Sequence, residues 1–173
     1  MRKAGCFALA MAIQMATTAT IYGQTTLQSG TGFSAVCPKG WHGKTLHPGA
    51  IRFINFPDNK WQYSGQFPKD GAAITISDSP PGGHESTNPY GELMWRAQGV
   101  GGQIIQSSQD PARVEVIAEG DHYIMAAPEK DGYTFYAFLH YHNGDPQGEA
   151  YGHLLSEVIA SIKREPGTAR PSN

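Results

Sequence analysis

The sequence predicts an α+β fold, one antiparallel sheet flanked by helices, and three observations lead there. The runs "ARVEVIA", "DHYIMAA" and "GYTFYAFLHYH" are separated only by the turns "EGD" and "PEKDG", which is the pattern of an antiparallel meander. Directly after them, Tyr151, Leu154, Leu155, Val158, Ile159 and Ile162 recur at the spacing of one apolar helix face. Upstream, "YGELMWRAQ" sets Tyr90, Leu93, Met94 and Ala97 at helical spacing, with Asn88 or Pro89 placed to start the helix.

The chain has 173 residues. Residues 1–23 carry Arg2 and Lys3 and then an apolar stretch broken by small and polar residues, the pattern of a secretory signal peptide. The apolar part, Ala4 to Ala16, is shorter than the ~20 residues of a spanning helix. Cys6 lies at its beginning, too early for a lipid-bearing cysteine. The expectation is an exported protein, periplasmic or extracellular, with no integral membrane segment in the mature chain. Losing Arg2 and Lys3 takes the 13 basic residues to 11 against 15 acidic ones, a formal charge of −4. Nucleic acids and anionic membranes both call for a concentrated basic surface, so neither is an expected partner. Cys37 is the single cysteine left after cleavage, which excludes an internal disulfide and reads as a small buried hydrophobe.

From Gln24 to Gly32, "QTTLQSGTG" is polar and rich in breakers, a flexible lead-in to one domain spanning 33–164. "FSAVC" alternates as a strand and stops at Pro38-Lys39-Gly40, a turn that delivers Trp41 to the core. In "AIRFINF" the alternation sets Ile51, Phe53 and Asn55 on one side of a strand closed by Pro57-Asp58. "GAAITIS", Gly71 to Ser77, is a further short strand, and "DSPPGGHESTNP", Asp78 to Pro89, is a long surface loop. The closing helix is expected to take Asp145 as its cap, with Pro146 at the first helical position, and to end near Arg164. Residues 165–173 form a disordered tail.

Three pieces resemble the family of PsbP, the photosystem II extrinsic protein, and its small exported bacterial relatives. "FSAVCPKGW" resembles the family's opening strand and Pro-x-Gly-Trp turn; "TFYAFLHY" followed by an acidic turn and a helix ending in "VIASIK" resembles its close; and the order of elements from Phe33 to Lys163 is similar. Cys37 stands where that opening strand has an apolar or aromatic residue. The resemblance implies an α/β/α sandwich and a binding or assembly role, and it does not imply photosynthesis.

Standard catalytic signatures are missing. "HES" at His84 lacks the second histidine of a zinc-protease helix, since the fifth position is Asn88 and the surrounding Pro and Gly forbid a helix. There is no Gly-x-Ser-x-Gly elbow, phosphate loop or Cys-x-x-Cys pair. The sharpest candidate is "FLHYHNGDP". His140 and His142 leave the same face of a strand about 6 to 7 Å apart, a separation that two ligands of one divalent metal tolerate. If the "PEKDG" turn pairs Ala127 with Tyr133, paired residue numbers add to 260. His122 then falls diagonal to His140 on that face, with Asp145 or Glu149 as oxygen donors; a slip of one residue removes it. The alternative is that these are strand-end histidines hydrogen bonded to neighbours, beside a core stripe of Tyr133, Phe135, Ala137, Leu139 and Tyr141. Trp61, Tyr63, Tyr90 and Trp95, with Tyr123 and Tyr136, are the candidate lining of an aromatic groove, walled by the Asp78 loop and "GVGGQ".

The leading expectation is an exported binding or accessory protein that acts as a monomer without cofactor or catalysis, toward a protein partner or small ligand. The alternatives are a metal-binding protein or metal-dependent hydrolase using His140, His142 and His122, and a glycan- or lipid-binding module using the aromatic groove.

Overall fold

The computed structural model describes residues 25–57, 67–78 and 88–165. Residues 1–24, where the signal peptide is expected, and Trp61, Tyr63, His84, most of the Asp78 loop and the residues beyond Glu165 lie outside them. The expected α+β fold is what forms. Its elements are β1 (Thr26–Gln28), β2 (Phe33–Val36), β3 (His42–His47), β4 (Ala50–Ile54), β5 (Ala72–Ser77), α1 (Pro89–Gly99), β6 (Gln103–Gln109), β7 (Ala112–Ala118), β8 (Asp121–Ala126), β9 (Glu129–Lys130), β10 (Tyr133–Thr134), β11 (Tyr136–His142), α2 (Gly148–Ser161) and β12 (Lys163–Arg164).

Seven strands make one antiparallel sheet in the order β3-β4-β5-β11-β8-β7-β6. Its two faces are buried by different elements. On one face Ile51, Phe53, Ile74, Ile76, Ala137, Leu139 and Tyr141 meet Tyr151, Leu155 and Val158 of α2 and Phe33 and Ala35 of β2. On the other, Val114, Val116 and Met125 meet Leu93 and Ala97 of α1. Alternation within each strand sends consecutive side chains to opposite faces, so these two cores are interleaved along β8 and β11.

The Asn88 side chain caps α1 by accepting from the amides of Tyr90 and Gly91. The closing helix differs from expectation. It begins at Gly148 behind Gln147 with no side-chain cap, and Asp145 instead accepts from the Gln147 amide inside the preceding turn. It stops at Ser161, after which Lys163 and Arg164 pair with Ser34 and Phe33 of β2. The lead-in also contributes, since Thr26–Gln28 pair with Val36–Ser34. Both ends of the domain are therefore held on β2, and Arg164 is fixed by a buried ion pair with Asp78 (3.4 Å) beneath the Tyr133 ring (4.0 Å). Trp41 does anchor the opening turn, edge-on to Tyr151 at 6.0 Å, and Cys37 is buried as a free thiol whose pKa burial raises.

Two tight turns set the meander. Glu119-Gly120 (φ 51° and 90°) joins β7 to β8, and Asp131-Gly132 (φ 53° and 77°) joins β9 to β10. Positive φ at both central residues is the mark of the type I′ hairpin.

Candidate functional site

The hairpin register decides which histidines meet. Asp131-Gly132 alone forms the turn, so Tyr133 pairs with Lys130 and not with Ala127. Paired residue numbers add to 263 along β9–β10 and β8–β11 alike. The expected sum of 260 differs from this by an odd number, and an odd shift exchanges the two faces of a strand relative to its partner. His122 therefore lies opposite Tyr141, on the α2 face, and His140 lies opposite Tyr123 on the α1 face. The expectation that His122 shares a face with His140 and His142 is overturned.

On the α1 face, Asp121 and Tyr123 of β8 stand across from His142 and His140 of β11, forming the corners of a square. Asp121 joins both rings: Oδ2 is 2.8 Å from His140 Nε2 and Oδ1 is 3.1 Å from His142 Nδ1. An ionised carboxylate only accepts, so these ring nitrogens are the donors. The His140 ring is stacked between Tyr123 (4.4 Å between centroids, 18° between planes) and Phe67 (3.8 Å, 26°). Phe67 in turn meets Phe56 edge-on at 5.3 Å. Burial lowers the pKa of His140; the hydrogen bond and charge of Asp121 oppose that shift, and nearby Arg52 reinforces it. His142, at the strand end, keeps 40% of its side chain exposed against 19% for His140.

On the α2 face a second set forms. His122 Nδ1 is 2.7 Å from the Tyr141 hydroxyl and its Nε2 is 3.3 Å from Glu115 Oε2. Glu115 Oε1 accepts from Arg113 Nε and Nη2 at 3.1 and 2.9 Å. With Glu115 ionised, Nε2 donates to it, and Nδ1 accepts from the tyrosine. Burial raises the Tyr141 pKa, with Glu115 and Asp145 adding to the rise. Gly148, the first residue of α2, lies so close that a Cβ there would come 2.8 Å from Tyr141 Cε2. The neighbouring Tyr151 hydroxyl accepts from Asn55 Nδ2 at 3.3 Å. This network seats the start of α2 on the sheet.

The oxygen donors expected beside the histidines are elsewhere. Asp145 is engaged in its turn, and Glu149 stands 3.9 Å from His153 on the exposed side of α2. The carboxylates that meet the three candidate histidines, Asp121 and Glu115, are not among the residues the sequence points to; the Asp131-Gly132 pair is the signal that leads to them, because it fixes the odd register. Among the described residues, no group of three or more His, Cys, Asp and Glu is arranged to hold a metal ion.

Of the aromatic candidates, Trp61 and Tyr63 lie outside the described residues, and Tyr90, Tyr123 and Tyr136 belong to the α1-side core. Tyr90 packs under α1 with its hydroxyl 3.3 Å from Ser107 Oγ, whereas Trp95 is on the outer side of the same helix and 47% exposed. Tyr136 is buried in the α1-side core and Tyr123 is committed to His140. "GVGGQ" runs directly into β6, and Gly102 is needed there because a Cβ would strike the Ile117 carbonyl.

No helix among the described residues is long and apolar enough to cross a membrane. No protein-family model matches the chain, and no curated protein matches it. Among solved structures, a crystal structure from Bacteroides thetaiotaomicron VPI-5482 is 16% identical with a TM-score of 0.37; it covers 86% of this chain, which spans about half (51%) of the other. The solution structure of cyanobacterial PsbP (CyanoP) from Synechocystis sp. PCC 6803 is 13% identical with a TM-score of 0.46, covering 82% of this chain and 92% of its own. The likeness to both is one of fold only.

Proposed function

We propose that the chain is an exported binding or accessory protein with no catalytic activity of its own. One observation carries this: the three candidate histidines are hydrogen bonded into the sheet. His140 and His142 share Asp121, and His122 is held between Glu115 and Tyr141. A general base has to reach a substrate proton or an activated nucleophile. The His140 ring has an aromatic ring stacked on each face, which limits that reach. The resemblance of "FSAVCPKGW" and "VIASIK" to the PsbP family supports the same reading, as does the Arg2-Lys3 leader for export. The test is an assay of the mature chain against chromogenic esters, phosphate esters, glycosides and peptides, with and without added zinc or manganese. Turnover that disappears in a His140→Asn/His142→Asn variant would refute the proposal; none is expected.

A second reading is a divalent-metal site, favoured by the meeting of His140 and His142 at one carboxylate. A cation would have to displace both hydrogen bonds to Asp121, and His122 takes no part. Protein purified without a nickel column would show a rise in Tm with zinc, copper or manganese that His140→Ala removes and His122→Ala leaves. The absence of any rise ends this reading.

A further inference from the structure

We propose that β6 is the contact surface of a reversible homodimer, in which the edge strands of two copies pair antiparallel about a two-fold axis. Among the described residues the sheet ends at β3 and β6, and unpaired edge strands are templates for further strands unless charge, proline, bulges or covering segments blunt them. β3 is blunted. It carries Lys44 between exposed histidines, breaks register between Thr45 and His47, and has β1 beside it, with Thr45 Oγ1 donating to the Gln28 carbonyl at 3.4 Å.

β6 has almost none of these devices. "QIIQSSQ" is seven residues long, with no charged residue and no proline, and among the described residues it pairs with β7 alone. Its one bulge, between Ile104 and Gln106, leaves Gln106–Gln109 in regular register with Glu115–Ala112. Ile105 at the bulge is 46% exposed, one of two large hydrophobics so open among the described residues. Helix α1 buries Val114 and Val116 of β7 and meets β6 at Tyr90–Ser107 and through Ile104.

The composition of the strand selects the partner. Glutamine amides and serine hydroxyls each donate and accept. In an antiparallel meeting of β6 with itself centred on Gln106, Gln103 faces Gln109 and Gln106 faces its own copy, while Ser107 and Ser108 face Ile105 and Ile104, with no like charges opposed. A second copy therefore satisfies this edge without needing a complementary charge pattern. An edge of one strand is small beside ordinary specific interfaces, so the dimer is expected to dissociate on dilution.

Sedimentation equilibrium of the chain from Gln24 to Asn173, over about 10 μM to about 1 mM, is expected to show a mass rising from one copy toward two. Ile105→Lys and Gln106→Lys, both at exposed positions, should each hold the protein at one copy with an unchanged far-UV spectrum, and Thr45→Lys on the opposite edge should leave the dimer intact. A single-copy mass across the range, or a dimer that persists in both β6 variants, overturns the proposal.

Discussion

Asp121→Asn is the perturbation that most directly probes the His140–His142 site. The carboxylate accepts from two imidazoles at 2.8 and 3.1 Å, and its side chain is 20% exposed. A hydrogen bond to a charged group contributes about 1.5–3 kcal/mol, toward the lower end where water reaches it, as at His142. An amide keeps one acceptor oxygen, so the expected net loss is about 1–2 kcal/mol near neutral pH. The pH dependence is the stricter test. Burial sets the His140 pKa below its ordinary 6.5, Asp121 partly restores it, and Arg52 opposes it. The folded state thus binds fewer protons than the unfolded one between the two pKa values. The stability linked to His140 is complete above the unfolded value of about 6.5 and is lost as pH falls toward the folded value.

Replacing Asp121 by Asn removes the influence that raises the His140 pKa, so the folded value falls further and the loss continues to lower pH. Imidazole NMR titration of wild type and Asp121→Asn, with urea unfolding from about pH 8 to about pH 5, measures both. A His140→Phe variant supplies the baseline from the other titrating groups. If His140 titrates at or above the ordinary histidine value, or if Asp121→Asn raises its pKa, then burial does not dominate this ring.

Three further outcomes are expected. Gly102→Ala should cost about 1–3 kcal/mol, read as a lowered Tm, because its Cβ would meet the Ile117 carbonyl and the Val116 and Ala118 side chains, and a backbone oxygen cannot swing aside. Tyr141→Phe should cost about 0.5–1.5 kcal/mol in urea and shift the 15N resonance of His122 Nδ1, which loses its donor at 2.7 Å. Asp78→Ala should cost about 3–5 kcal/mol, since the Arg164 and Asp78 side chains are only 4% and 3% exposed and truncation removes a carboxylate 3.4 Å from a buried guanidinium.

The elements legible in the sequence are those whose apolar periodicity is imposed by a core on one side. The α2 stripe reads cleanly because Tyr151, Leu155 and Val158 are all buried against the sheet, and α1 reads through its Asn88 cap. β6 escapes because it is an edge strand with solvent on much of both faces, and "QIIQSSQ" accordingly shows no alternation. β3 contains a single large aliphatic side chain, Leu46, and gives no period to detect. β1 and β12 are three and two residues long and are extended only because β2 lies between them. Such pairing is decided by tertiary contact, which local pattern cannot carry.

The site shows the same division more sharply. That His140 and His142 share a face follows from the period of a strand and needs nothing beyond the strand itself. Where His122 falls depends on a turn a few residues away, and there the parity of a single number decides the chemistry. Reading "PEKDG" as one loop gives an even sum and a three-histidine cluster; closing it at Asp131-Gly132 gives an odd sum and separates His122 from the pair by the thickness of the sheet. The odd register also creates what the even one would have prevented. With Asp121 opposite His142 and His122 opposite Tyr141, each face of the β8–β11 pair closes its own carboxylate–histidine bonds, one on the face that α1 covers farther along and the other beneath the start of α2. Buried polar groups are tolerated when they are satisfied in this way. The same turn that dissolves the expected metal cluster therefore supplies the partners that let three histidines sit within the sheet.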